Sequence, residues 1–86
     1  MKNVALVTGA ASGLGAVISR YLWSQGYADV LADISLSSAQ QMAREIDVKG
    51  QRSVGVQLDI RDSDAVSQAI DHCVAHFGGL HVLVNN

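Results

Sequence analysis

A glycine-rich turn at residues 9–15 constrains the fold of this chain more than any other feature of its sequence. Residues 3–7 precede the turn without polar alternation, which is typical of a parallel strand covered on both faces. From Gly13 onward the apolar residues recur with helical spacing. Glycine adopts positive φ freely and lacks a Cβ, so it suits a tight turn between a strand and a helix. The sequence therefore predicts that the first strand enters the first helix directly through the glycines.

The rest of the chain alternates short apolar runs with segments of helical period, without proline, repeats or a linker. Strands that alternate with helices predict right-handed crossovers and a parallel sheet. We expect an α/β fold, a partial Rossmann arrangement of four parallel strands in the order 3-2-1-4 with three crossover helices. The predicted strands cover residues 3–7, 30–32 (ending at Asp33), 53–58 and 82–84.

The helix starts and their apolar faces can also be predicted. Ser37 and Gln40 fit a Ser-x-x-Gln capping box at the start of the second helix. Asp62 or Ser63 can cap the third helix. The apolar stripe predicted for the first helix consists of Leu14, Ile18 and Leu22, with Val17 and Tyr21 beside it.

The glycine turn is also a candidate site for a phosphate group. Unpaired amides and the dipole at a helix start stabilise negative charge, and glycines let a diphosphate approach the backbone closely. Glycine-rich turns of this kind also occur in proteins that bind no nucleotide. Here a strand precedes the turn, a helix follows it, and an acidic residue, Asp33, ends the next strand. Together these features predict a dinucleotide-binding turn.

The glycine spacing points to one family. Gly9, Gly13 and Gly15 form Thr-Gly-x-x-x-Gly-x-Gly, not the Gly-x-Gly-x-x-Gly of most dinucleotide folds. Three further matches follow along the chain: Asp33, Leu58-Asp59-Ile60 and Leu83-Val84-Asn85-Asn86. With them the sequence resembles the shorter-chain branch of the short-chain dehydrogenase/reductase family. The resemblance implies that residues 1–86 are the N-terminal part of a single NAD(P)-binding Rossmann domain, cut after the second Asn of an Asn-Asn-Ala-Gly motif.

The same resemblance implies that the matched residues bind the ADP-ribose half of NAD. Asp33 would accept hydrogen bonds from the ribose hydroxyls, and Asp59 with the Ile60 amide would frame adenine. A carboxylate at Asp33 would repel a 2′-phosphate, and neither Arg nor Lys stands in the turn or directly after Asp33. NAD is therefore expected in preference to NADP. The remaining expected contacts are Gly9, Ser12, Gly13, Leu14, Gly15 and Asn86.

Other polar side chains suggest no second site. His72 and His76 lie one helical turn apart, but without an evident third ligand we expect a solvated helix face and no metal. Cys73 belongs to an apolar stripe and is expected to be buried. Asp29 is unusual, because an unpaired carboxylate in a central strand is costly. Either it lies at the exposed start of its strand, or the fold is damaged there.

The family's catalytic Ser, Tyr and Lys lie beyond its Asn-Asn-Ala-Gly motif, so no catalytic residue is expected in this chain. Two functional hypotheses follow from the resemblance. The first is a fragment of an NAD-dependent oxidoreductase that interconverts a secondary alcohol and a ketone by hydride transfer. The second is a stand-alone, non-catalytic nucleotide-binding module or an inactive truncated product.

Composition limits the partners and the compartment. The net charge of -2 and pI of about 5.8, with no cluster of Lys and Arg, argue against a nucleic acid partner. The first apolar run is too short for a membrane span or a signal-peptide core. One cysteine cannot form an internal disulfide, so a cytoplasmic protein is expected. The expected partners are an alcohol or ketone substrate and, by resemblance, further copies in a homo-oligomer of the complete enzyme.

Overall fold

The computed structural model describes residues 3–86. Its elements in chain order are β1 (Val4–Thr8), α1 (Gly13–Ser24), β2 (Ala28–Asp33), α2 (Leu36–Ile46), β3 (Ser53–Gln57), α3 (Ser63–Phe77) and β4 (Val82–Val84). The strands form one parallel sheet in the order β3-β2-β1-β4, which confirms the predicted topology.

The two central strands each contain an apolar run that is covered on both faces. Each residue from Val4 to Val7 in β1 is fully buried, and so is each residue from Val30 to Ala32 in β2. A parallel strand between two helical layers needs such a continuous apolar run, because each of its faces contacts a helix. Burial of these residues supplies the main stabilising contribution of the sheet.

The two faces of the sheet carry separate clusters of apolar side chains. On one face Val4, Leu6 and Val30 pack with Ala69 and Cys73 of α3. On the other face lies the second cluster, contributed by β1, β2, α1 and α2: Val7, Ala10, Leu31, Ala43 and Ile46, with Leu22, Trp23 and Met42 packed against them. The sheet is thus the middle layer of three.

The predicted apolar stripe of α1 is wrong in part. Leu14, Val17 and Tyr21 are more than half exposed, at 65%, 63% and 62%, whereas Gly15 and Ser19 are buried. The helix turns its small residues inward because it begins so close to β1 that a Cβ on Gly15 would overlap the carbonyl oxygen of Gly9. Leu14, Val17 and Tyr21 are left on the outer face, whereas Leu22 packs against the core as predicted.

The predicted cap of α2 is also wrong, by two positions. Ser35, not Ser37, is the N-cap, and its hydroxyl accepts a hydrogen bond from the Ser38 amide at 3.3 Å. The Asp33 carboxylate accepts from the Ser35 amide at 3.1 Å and so starts the turn earlier. For α3 the prediction holds, because Asp62 accepts from the amides of Asp64 and Ala65.

Asp29 lies inside β2, because the strand begins at Ala28 and not at Val30. The residue is fully buried between Ala5 of β1 and Ser53 of β3, so the exposed position considered from the sequence is wrong. Neither carboxylate oxygen has a hydrogen-bond partner among residues 3–86. Burial raises the pKa of this carboxyl to about 7, although the positive charge of Arg52 opposes the shift.

Candidate cofactor-binding site

A cleft opens at the carboxyl ends of the parallel strands. Its volume is about 380 Å³. It lies at the edge where the strand order reverses about β1, the usual place for a ligand in an open α/β sheet. The cleft is lined by Thr8, Gly9, Asp33, Ile34, Leu58, Asp59, Ile60, Arg61 and Asn86.

The structure therefore brings together five of the residues predicted from the sequence. Gly9, Asp33, Asp59, Ile60 and Asn86 all line this cleft. The other four, Ser12, Gly13, Leu14 and Gly15, lie at the start of α1 and do not line it.

Glycine is required at two positions of the turn for different reasons. Gly9 has φ +60°, a conformation that side chains rarely adopt. Gly15 is buried, and any side chain there would overlap the carbonyl oxygen of Gly9. Gly15 therefore sets the distance between α1 and the turn, and its part in the site is packing.

Gly13 differs from these two because it faces open space. A Cβ placed there would meet no described atom within 4 Å. Ser12, the N-cap of α1, makes no side-chain capping bond to any described residue, and its hydroxyl donates to the Gly9 carbonyl at 2.9 Å. The first-turn amides of α1 thus adjoin an open surface, a geometry that fits a diphosphate group.

The Asp33 carboxylate fastens the glycine turn to the end of β2. One of its oxygens accepts from the Ala11 amide at 3.2 Å, and the other accepts from the Ser35 amide at 3.1 Å. The Ala10 amide adds a bond to the Ala32 carbonyl at 3.1 Å. Each carboxylate oxygen accepts up to about two hydrogen bonds, so Asp33 retains capacity for two hydroxyl donors.

Thr8 joins the end of β1 to the residues after β4. Its hydroxyl accepts from the Asn86 amide at 3.1 Å and lies 3.3 Å from the Val84 carbonyl oxygen. The Asn86 side chain in turn donates to the Gly9 carbonyl at 3.3 Å. Asn86 is thereby held against the glycine turn. Thr8 is the first residue of the Thr-Gly-x-x-x-Gly-x-Gly motif, but the sequence analysis predicted no contact for it.

Asp59 forms an ion pair with Arg61, a residue that sequence reasoning missed. The Nε of Arg61 donates to Oδ1 of Asp59 at 3.0 Å, and a terminal nitrogen donates to Oδ2 at 2.8 Å. These donors lower the pKa of Asp59 to about 2. Spacing alone offers little warning of this contact, because an arginine two residues after a strand end can point anywhere into solvent.

Two apolar side chains, Ile34 and Ile60, line the cleft although they are largely exposed. Their exposed fractions are 62% and 54%. Ile34 directly follows β2 and Ile60 follows β3. Exposed isoleucines that line a cleft offer apolar surface to a ligand, and the sequence analysis did not predict that Ile34 lines this one.

The histidines and the cysteine lie away from the cleft, on α3. The rings of His72 and His76 stack with their centroids 5.4 Å apart. Within residues 3–86, no three His, Cys, Asp or Glu side chains converge on a point where a metal ion could be held. Cys73 is buried as expected, and burial raises the pKa of its thiol.

Comparison with known proteins identifies the family to which this site belongs. The family model described as short chain dehydrogenase matches residues 3–86. The chain belongs to the short chain dehydrogenase family. Among the solved short chain dehydrogenase-like structures it resembles menthone neomenthol reductase from Mentha piperita, with a TM-score of 0.90 and 32% sequence identity. That alignment covers 100% of this chain and 31% of the reductase.

Two further matches include a curated relative and a structure with a bound nucleotide. The chain is 42% identical over 85 residues to cis-4-hydroxycyclohexanecarboxylate dehydrogenase of Sinomonas cyclohexanicum, covering 99% of this chain and 34% of that enzyme. It also resembles a blue fluorescent protein from a metagenomic library solved in complex with NADPH, with a TM-score of 0.86 and 37% identity. That match covers 98% of this chain and 35% of the fluorescent protein.

The chain spans about a third or less of the length of the curated relatives it matches, 34% of the enzyme from Sinomonas cyclohexanicum and 13% of an uncharacterized oxidoreductase of Bacillus subtilis. Among residues 3–86, no helix is both long and apolar enough to cross a membrane.

Proposed function

We propose that this chain is the N-terminal, cofactor-binding part of the single Rossmann domain of an NAD-dependent oxidoreductase. The observation that carries the proposal is the position of Asp33, whose carboxylate lines the cleft beside the glycine turn. Bound NAD accepts a hydride from an alcohol or, in its reduced form, donates one to a ketone. The residues of this chain bind and orient the ADP-ribose half of the cofactor.

The proposed contacts carry over what the family resemblance implies, and the chemistry of the glycine turn and the cleft supports them. The diphosphate lies over the open surface at Gly13, where the first amides of α1 stabilise its charge. The ribose hydroxyls donate to Asp33, which has acceptor capacity left. The adenine ring lies between Ile34 and Ile60, with its amino group toward Asp59.

Preference for NAD over NADP rests on charge. The 2′-phosphate of NADP would lie beside the Asp33 carboxylate and be repelled by it. Arg61 does bring a positive charge into the cleft, but its guanidinium is paired with Asp59. The Asp59 carboxylate partly offsets that charge, so Arg61 favours a 2′-phosphate less than an unpaired arginine would.

The substrate class is proposed from the relatives. The enzyme from Sinomonas cyclohexanicum is named for a hydroxyl group on a ring carbon, and the one from Mentha piperita for a cyclic ketone and alcohol. Both names describe a secondary alcohol or its ketone. We propose a small molecule of this class for the complete enzyme, with the catalytic groups supplied by residues outside 1–86.

Titration calorimetry with NAD and NADP tests the cofactor assignment. The protein should bind NAD about tenfold or more tightly than NADP, a difference of about 1.4 kcal/mol. Asp33→Ala should remove most of this preference, because the ribose acceptor and the repulsive charge disappear together.

Asp71→Ala is the matched control, since it removes one exposed carboxylate from α3 without touching the cleft. It should leave the preference unchanged. Tighter binding of NADP than of NAD by the unsubstituted protein would reject the assignment. Thermal melts of each variant establish that the glycine turn, which Asp33 fastens, still folds.

A further inference from the structure

Arg61 occupies three of the roughly four acceptor sites of the Asp59 carboxylate. Oδ1 of Asp59 accepts from both the backbone amide and the Nε of Arg61, each at 3.0 Å. Oδ2 accepts from a terminal nitrogen of the same guanidinium at 2.8 Å. Since a carboxylate oxygen accepts about two hydrogen bonds, Oδ1 is saturated and Oδ2 has one site left.

The pairing of Arg61 with Asp59 affects how the cleft would recognise the adenine base of the cofactor. An adenine amino group beside Asp59 needs one carboxylate oxygen as its acceptor. The positive guanidinium also offsets the negative charge of that acceptor, and its hydrogen bonds hold the pKa of Asp59 at about 2. A neutral donor gains less from a carboxylate already neutralised by a cation than from a free one.

We infer that Arg61 competes with the adenine amino group for Asp59 and so lowers the selectivity of the cleft for adenine over hypoxanthine. Hypoxanthine carries a carbonyl oxygen where adenine carries the amino group. A free Asp59 would repel that oxygen, whereas a guanidinium held on Asp59 can donate to it. The inference rests on the proposed binding of adenine beside Asp59.

The competition is graded and does not block binding. The side chains of Arg61 and Asp59 are 83% and 36% exposed, so the pair opens at small cost. Adenine therefore still enters the cleft between Ile34 and Ile60. Arg61 changes only the difference in affinity between adenine and hypoxanthine.

The test is the ratio of two dissociation constants, measured by calorimetry for NAD and for nicotinamide hypoxanthine dinucleotide on the complete expressed protein. Arg61→Ala should raise the preference for NAD over the hypoxanthine analogue by about three- to tenfold. The ratio is used because loss of a positive charge weakens both anionic ligands alike. Asp59→Ala should lower the preference and make it insensitive to a second substitution at Arg61.

Arg44→Ala is the matched control, because it removes one exposed arginine from α2, outside the cleft. It should leave the ratio unchanged. An unchanged ratio in Arg61→Ala overturns the inference, and so does a lower one, which would mean that the guanidinium supports adenine, for example by stacking on it. If the unsubstituted protein binds neither dinucleotide, the proposed function fails and the inference fails with it; NAD binding with an unaltered ratio rejects the inference alone.

Discussion

Asp29 is the residue least suited to its surroundings. Both of its carboxylate oxygens lack partners among residues 3–86, and so does the hydroxyl of its neighbour Ser53. The guanidinium of Arg52 attracts the carboxylate, but it donates to the carbonyls of Tyr27 and Trp23. The fold is intact around this residue, and the neutral acid is the form that burial favours.

The pH dependence of stability should report this burial. The folded pKa of Asp29, about 7, lies above the ordinary value of 3.8, so the folded chain holds the proton more tightly. Its contribution to stability is therefore fully present below about pH 4 and is lost as the pH rises to 7, at up to about 1.4 kcal/mol per pH unit. Asp29→Val, which suits a covered strand, should stabilise the chain more at pH 8 than at pH 5, by about 2 kcal/mol.

Urea denaturation of both proteins at the two pH values measures this difference directly. Asp71→Ala, which alters an exposed carboxylate, should show the same stability difference from the unsubstituted chain at both pH values. A stability gain for Asp29→Val that does not depend on pH would mean that Asp29 is not buried as a neutral acid.

At the scale of the element, the start of α1 combines two demands on glycine. Gly15 sets how closely the helix approaches the glycine turn, and Gly13 keeps the outer surface of the same turn open. The two residues belong to the same helix, yet a methyl group would meet backbone at one and empty space at the other. Packing and binding can therefore be separated by two alanine substitutions.

Gly15→Ala should destabilise the chain by about 1–3 kcal/mol, because the backbone of the turn must shift away from the new Cβ. Gly13→Ala should change the free energy of unfolding by less than about 1 kcal/mol. It should nevertheless weaken NAD binding about tenfold or more, since the methyl group enters the space proposed for the diphosphate.

Thermal melts and calorimetry on the two variants make this comparison, each serving as the control for the other. Equal destabilisation by both substitutions would contradict the assigned difference between Gly13 and Gly15. Retention of full NAD affinity in Gly13→Ala would place the diphosphate elsewhere.

The elements that the sequence predicts well are those whose signal is periodic. Apolar runs and helical spacing predict the type and order of the seven elements within residues 3–86, and hence the strand order. Periodicity does not say which face of α1 packs when small residues such as Gly15 and Ser19 compete with Leu14. Periodicity does not predict side-chain pairing either. The ion pair of Arg61 with Asp59 and the full burial of Asp29 inside β2 were therefore found only from the structure.

At the scale of the whole molecule, one end of the sheet carries the cleft and the other end carries structural contacts of Arg52. The carboxyl ends of the strands open into the cleft. At the opposite end, Arg52 ties together the ends of α1 and α2 and the start of β3. Its guanidinium donates to the Tyr27 carbonyl at 2.9 Å and lies 4.6 Å from the centre of the Trp23 ring, while its amide donates to Asp47 at 2.7 Å.

Arg52→Ala should therefore lower the free energy of unfolding by about 1–3 kcal/mol through lost hydrogen bonds and ring contact. NAD affinity should stay the same, because the cleft lies at the other end of the strands. Urea denaturation and calorimetry measure the two quantities. Arg61→Ala is the mirror control, since its exposed pair should leave the denaturation midpoint unchanged. Weaker NAD binding in Arg52→Ala, in protein that is still folded, would contradict this separation.

The hydrogen bonds from the Ala11 and Ser35 amides to Asp33 affect the entropy change when a cofactor binds. A loop that must be ordered by its ligand loses conformational entropy at that moment, and affinity falls accordingly. Here the glycine turn is already tethered to the end of β2 in the free chain. The turn is therefore ordered on folding, and a dinucleotide that bound as proposed would not lose affinity by ordering it.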